Sequence, residues 1–285
     1  MKQKLLEKGM KWVFLAAACM SIIAVALICI FIFANALPAL KEIGIFNFLT
    51  GTKWAPTNEK PSFGILPMIL GSFYITAGAI IFGLPVGLLT AIYMAKFCPA
   101  KVYRLVKPVV ELLAGIPSIV YGFFGLIVLV PFVRNNFGGN GNSILTASIL
   151  LGIMILPTII GISEAAIRAV PDIYYEGALA LGATHERSVM FACVPAARSG
   201  IIAAIVLAIG RAIGETMAVI MVAGNQARIP DGILKGVRTL TANIVIEMGY
   251  AADLHRGALI ATGAVLFVFI LLINALFAAL KRRMD

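Results

Sequence analysis

Of the chain's 285 residues 61% are hydrophobic and only 13% charged, and the mean hydropathy of +1.01 excludes a soluble domain and places the chain in a bilayer. The formal charge of +10 comes from 23 Lys and Arg that fall between apolar runs rather than on one face, so it marks membrane topology and not a nucleic-acid surface. No stretch remains for a separate soluble enzyme, and without a Gly-Lys dipeptide the chain has no G-x-x-x-x-G-K-[ST] phosphate loop, so any ATP is used by another subunit.

The spans follow from the spacing of charges. Between Lys11 and Lys41 lie 29 uncharged residues, a run longer than a signal-peptide core and without a clear small-residue cleavage site, which reads as a retained anchor. There are 35 between Lys60 and Lys96, 22 between Glu111 and Arg134, 29 between Arg134 and Glu164, and 24 between Arg256 and Lys281. The stretch from Ser199 to Ala227 carries only Arg211 and Glu215. Since roughly 20 apolar residues cross the hydrocarbon core, the pattern predicts an all-α integral membrane protein. Its six transmembrane helices fall near 12–36, 66–95, 109–133, 144–168, 197–224 and 257–280. Residues 1–65 then form a tail, first helix and outer loop, and 66–285 a five-helix core.

An even number of spans puts both termini on one side. Fourteen basic residues flank that side, among them Lys2, Lys4, Lys8, Lys11, Lys96, Lys101, Arg104, Lys107 and Lys281, against eight on the other, so both ends are predicted to be cytoplasmic. Pro67, Pro85, Pro117 and Pro157 each remove a backbone donor in or near a span, which predicts kinked, mutually packed helices. Ala196, Gly200, Ala204, Ala208, Ala212 and Thr216 recur every four residues, a stripe that admits another backbone from this chain or a second one. Cys19, Cys29, Cys98 and Cys193, with His185 and His255, show no zinc-like spacing, and neither a metal nor a cofactor is expected. Glu164 and Arg168, four apart, read as a helix-surface pair, and Glu111 beside Lys107 as an interfacial charge.

The segment 171–195, PDIYYEGALALGATHERSVMFACVP, predicts a helix, a sharp turn and a helix on the cytoplasmic side. Pro171 and Asp172 suit a first turn, Gly182 can take the left-handed conformation that ends one helix, and Thr184 can cap the next. The segment resembles the EAA loop of ABC-importer permeases, with Glu176, Ala178, Gly182 and Pro195 at matching positions. Gly177 replaces the second motif residue, Ala192 the usual Ile and Val194 the usual Leu. GTKWAP at 51–56, FGILPMILGSFY at 63–74, ELLAGIPSIVYGFFGL at 111–126, LPTIIGISEAAI at 156–167 and GRAIGETMAV at 210–219 are similar to the PstC-type phosphate permeases. The resemblance implies a type I ABC-importer permease (MetI-like) architecture in the cytoplasmic membrane. It also implies a PstA-type permease partner, two PstB-type ATPase subunits docking on the EAA loop, and phosphate delivered by a periplasmic or lipid-anchored binding protein. A permease for sulfate or molybdate, an ion-coupled secondary carrier and a structural or sensory subunit remain as alternatives.

Arg211 and Glu215 are the charges on which transport is expected to turn. Charges near the bilayer centre are costly and face a partner or a water-filled path. On a continuous helix two residues four apart share a face, so Glu215 is expected to neutralise Arg211 until an anion arrives. Matching residues lie in a transport motif of the resembled family.

Overall fold

The computed structural model describes residues 2–282, with side chains described for 9–279. The basic side chains of Lys2, Lys4, Lys8, Lys281, Arg282 and Arg283 used in the topology argument lie outside these limits. Helix α1 (Lys2–Ile43) runs unbroken through Pro38. A short α2 (Ile45–Thr50) and a two-stranded antiparallel hairpin, β1 (Trp54–Ala55) and β2 (Ser62–Phe63), lead to α3 (Leu66–Ile92), which ends in a π-helical turn, Tyr93–Phe97. Next come α4 (Ala100–Gly115), then α5 (Ser118–Phe124) and α6 (Val130–Phe137), joined by a second π turn, Gly125–Leu129. Helix α7 (Ile144–Arg168) is started by Ser143, whose hydroxyl accepts the Thr146 N–H. A helical hairpin follows, comprising α8 (Asp172–Ala180), α9 (His185–Ser188), a π turn at Val189–Cys193 and α10 (Val194–Ala196). It is followed by α11 (Arg198–Gly214), α12 (Met217–Val222), α13 (Leu240–Glu247) and α14 (Asp253–Arg282).

The core is built on α3 against α7. Both helices are apolar, and small residues let their backbones close: a Cβ added at Gly83 would lie 2.8 Å from the Gly152 carbonyl oxygen and 2.9 Å from Ile155 Cγ1, and one at Gly87 2.8 Å from Ile159 Cγ2. Ile75, Ala79, Leu150, Leu151, Ile155 and Ile159 are fully buried around this crossing. The small-residue stripe resolves the same way. Ala204, Ala208 and Ala212 are buried, and Gly200 abuts Ala166 of α7, so the close approach is within the chain. Helix α1 packs on α14 only through its later half, with Ala39 against Gly257 and Phe33 edge-on to Phe267. Its side chains from Gly9 to Ile28 are all exposed in the isolated chain.

Among the described residues five helices are long and apolar enough to cross a membrane, Gly9–Ile43, Leu66–Phe97, Ser118–Phe137, Ile144–Arg168 and Asp253–Ala279, and the bent pair His185–Ala196 and Arg198–Gly214, counted as one span, makes six. Two predicted helices are corrected. The third, expected over 109–133, is broken at Ile116 and Pro117, so that α4 is a separate amphipathic helix and the span begins at Ser118. The residue before a proline is pushed out of the α region, and Ile116 is extended at φ −68°, ψ 127°. The fifth, expected over 197–224, is broken at Glu215 and Thr216, and a 68° bend at its start separates α11 from the hairpin.

The α3–α7 crossing generates a stability prediction. Gly83→Leu should overpack the interface and cost about 1–3 kcal/mol. In thermal unfolding of the purified chain this lowers Tm, whereas Gly161→Ala, whose added carbon meets nothing within 4 Å, does not.

Candidate functional site

Two broken helices meet where α5 packs on α12. At the end of α11 the chain turns extended at Glu215, φ −68° and ψ 132°, before α12 begins. The freed amides are taken up by the Glu215 side chain: Oε1 accepts the N–H of Thr216 at 3.1 Å and of Ala218 at 3.2 Å. That carboxylate therefore caps α12, and its negative charge complements the positive end of the helix. Its backbone carbonyl accepts the Thr241 hydroxyl of α13 at 3.0 Å. The facing break is spanned by Tyr121, whose hydroxyl donates to the Leu113 carbonyl at 2.9 Å, linking α5 back to α4 across Pro117. Helices α5 and α12 touch closely, since a Cβ on Gly122 would stand 2.7 Å from Met221 Sδ.

This geometry changes the expected pair. Because the helix ends between them, Arg211 and Glu215 do not share a helical face, and no ion pair joins them among the described residues. Arg211 is exposed in the last turn of α11 with no carboxylate on it, while Glu215 is partly buried and committed to backbone amides. Chemically, the junction presents a fork of five unpaired N–H donors where two helices are interrupted, a match for a tetrahedral oxyanion.

The hairpin forms the helix, turn and helix that its sequence predicts. Gly182 adopts φ +82°, and two bonds close α8: Gly182 N–H to the Leu179 carbonyl at 2.9 Å and Ala183 N–H to the Ala178 carbonyl at 3.1 Å. Thr184 then caps α9 by accepting the Arg187 N–H. Glu176 and Gly177 are exposed, Ala178 half-buried, and Pro195 lies just before the bend into α11. Leu181 is 92% exposed, Phe191 79% and Ile173 73%, an apolar tip beyond anything this chain covers. The base is fixed to the end of α3: Phe97 stacks edge-on against His185, whose Nδ1 bonds the Tyr175 hydroxyl at 2.7 Å, and Lys96 approaches Asp172 at 3.8 Å.

Residues 83–285 match the family of binding-protein-dependent transport system inner membrane components. The chain is 40% identical over 275 residues to the probable ABC transporter permease protein YqgH of Bacillus subtilis, covering 93% of this chain and 89% of that one. It is 37% identical over 291 residues to the phosphate transport system permease protein PstC of Mesorhizobium japonicum, covering 95% and 88%. The chain belongs to this transport family. Its fold is that of type I ABC-importer permeases: a bacterial alginate ABC transporter aligns with a TM-score of 0.66 at 17% identity over 96% of this chain and 95% of that one. The MetNI methionine ABC transporter, in an inward-facing form, aligns at 0.58 and 23% over 78% and 94%. As a member of this family the chain is a multi-pass inner-membrane protein.

Sequence reasoning missed two polar clusters in this permease fold. At the end of α7 that leads into the hairpin Glu164, 1% exposed, receives the Tyr103 hydroxyl at 2.8 Å, Lys107 Nζ at 2.7 Å and Arg168 Nε at 2.6 Å. The expected Glu164–Arg168 pair is thus one edge of a larger cluster, and Lys107 serves Glu164. That hydrogen bond pushes the Lys107 ammonium above its ordinary pKa despite desolvation. Beside the β hairpin Glu247 of α13 accepts Trp54 Nε1 at 2.8 Å and pairs with Arg238 and His255. The sequence signal for it was Trp54, inside GTKWAP. Apart from Arg168, which the four-residue spacing did anticipate, the partners that complete the clusters come from elsewhere in the chain: Tyr103 and Lys107 lie 61 and 57 residues from Glu164, and Trp54 193 residues from Glu247.

The asymmetry between Arg211 and Glu215 is testable without transport. Glu215→Ala should cost about 1 kcal/mol through loss of the α12 cap, seen as a lower Tm of the purified chain. Arg211→Ala should leave Tm unchanged; equal losses from both would restore the ion pair.

Proposed function

We propose that the chain is the membrane-spanning permease subunit of an ABC importer that moves inorganic phosphate inward, with ATP hydrolysed by separate subunits. The observation that carries this reading is the unpaired Arg211 guanidinium at the junction of two interrupted helices, in a chain whose relative of similar length is named a phosphate transport permease. Charged side chains at membrane depth mark substrate pathways, and irregular backbone is tolerated there where it lines a cavity. Arg211 supplies the bidentate donors for phosphate, and Glu215 holds α12 in place and sets a negative charge nearby that limits how tightly a dianion is held.

The partners follow from the same reading. A PstA-type permease covers the exposed Arg211 face, a periplasmic or lipid-anchored binding protein delivers phosphate, and two PstB-type ATPases dock beneath. The apolar tip of the hairpin, with Glu176, Gly177, Ala178 and Gly182, seats in an ATPase cleft. Pro195 positions the bend through which that motion enters α11. Both termini then lie in the cytoplasm, and residues 1–65 act as an anchor added to a core of 66–285.

Transport assays in proteoliposomes containing the full complex test the anion site. Arg211→Gln should assemble and hydrolyse ATP but lose phosphate uptake, with a loss of one charged hydrogen-bond set worth about 1.5–3 kcal/mol, or roughly ten- to a hundredfold. Arg211→Lys should rescue poorly because the planar fork is gone. Wild-type uptake by the Arg211→Gln, Glu215→Gln chain would remove the site, and uptake of sulfate or molybdate in place of phosphate would reassign the anion.

Coupling is tested at Gly182. Val at φ +82° is strained by about 1 kcal/mol or more, although nothing lies within 4 Å of its Cβ. Gly182→Val should therefore insert normally yet bind the ATPase more weakly in pull-downs and transport less.

A further inference from the structure

The cytoplasmic cluster around Glu164 ties together elements that the transport reading leaves unconnected. Glu164 and Arg168 lie on the last turns of α7, and Arg168 stands four residues before Asp172, which opens the coupling hairpin. Arg168 also donates from Nη2 to the Met94 carbonyl at 2.7 Å, in the π turn that ends α3, and its guanidinium stacks on the Tyr103 ring at 4.4 Å. The ends of α3 and α7 and the hairpin are thus one body, closed by Phe97 on His185 and Lys96 near Asp172.

Helix α4 joins that body through few contacts. Its exposed flank carries Val102, Leu105, Val109 and Leu112, while the flank on α7 offers Tyr103, Lys107 and a small apolar group in which Val110 meets Met94 and Ile160. Both polar side chains of that flank end on the Glu164 carboxylate. From Tyr103 to Gly115 the helix runs about 18 Å. At its far end Ile116 and Pro117 form the break that leads into α5, and α5 packs on α12, which Glu215 caps.

We infer that Glu164 is a positioning residue that fastens α4 to the coupling hairpin, so that nucleotide-driven motion of the hairpin is carried along α4 to the break beside Arg211. The inference rests on the permease reading above. Burial of this carboxylate has a purely structural alternative, because exchanging a buried ion pair for neutral groups is often neutral in stability while removing one partner is costly. The two roles separate in a double substitution. Lys107→Met alone leaves an underpaired buried carboxylate and lowers Tm. Glu164→Gln with Lys107→Met removes the charge pair between α7 and α4, leaves the half-exposed Arg168 to solvent and the Met94 carbonyl, and recovers Tm, but leaves no charged clamp on α4.

The experiment uses the complete complex in proteoliposomes, with the four native cysteines replaced and spin labels at Arg104 on α4 and Arg187 on α9, both exposed. In the otherwise wild-type chain the distance between the labels should stay fixed between nucleotide-free and ATP-vanadate-trapped states. In the doubly neutral variant it should change or broaden on trapping, and phosphate moved per ATP hydrolysed should fall roughly tenfold. Lys107→Arg should preserve both. A distance that varies in the wild-type background, or one that stays fixed in the doubly neutral variant, overturns the inference, as does coupling that recovers together with Tm. The distance measurement needs no substrate. Failure of the wild-type chain to take up phosphate in the same vesicles therefore counts against the phosphate reading alone.

Discussion

A hydrocarbon interior offers no water to a backbone N–H or C=O, so a helix can be interrupted at membrane depth only where other groups accept the exposed amides and carbonyls. The architecture of this permease depends on how that constraint is met at two places. At Pro117 the missing N–H and the extended Ile116 open a helix, and the Tyr121 hydroxyl answers the Leu113 carbonyl. At Glu215 no proline acts; a carboxylate folds back onto the amides of Thr216 and Ala218, and Thr241 takes its carbonyl. A charge that would be expensive in lipid thus becomes a structural cap, and Arg211 is left uncompensated on the surface that faces away from the core.

The rest of the fold serves to hold these breaks in register. Helices α3 and α7 cross through Gly83, Gly87 and Gly152, which replaces side-chain interdigitation with backbone contact and gives a rigid central pair. The alanines of α11 lie on the same pair, so the Arg211 end of α11 is referenced to α7. Glu247 gathers Trp54, Arg238 and His255 and ties the β hairpin to α13, whose other end reaches Glu215. At the hairpin end Glu164 gathers α4 and Arg168, which in turn holds the end of α3 through the Met94 carbonyl. The two buried carboxylates are alike in logic: each is satisfied by donors from separate elements and so fixes the relative position of helices that share little apolar contact.

What the sequence determined by itself was whatever depends on neighbours along the chain. Apolar length located the spans, and Gly182 and Thr184 specified the turn between α8 and α9, because solvation, φ preference and capping act over a few residues. Pro117 was visible as a missing donor, but its consequence, a separate α4 and a span that starts at Ser118, was not. Tertiary structure alone decided that the helix stops at Glu215, since the carboxylate could have paired with Arg211 on an unbroken helix. The cap wins where Thr241 and the α5 contact support the extended turn. It also decided that Lys107 serves Glu164, 57 residues away, and that Trp54 serves Glu247, 193 residues away. Burying a charge demands donors from whichever elements packing brings together, and no local pattern in a single chain records which those are.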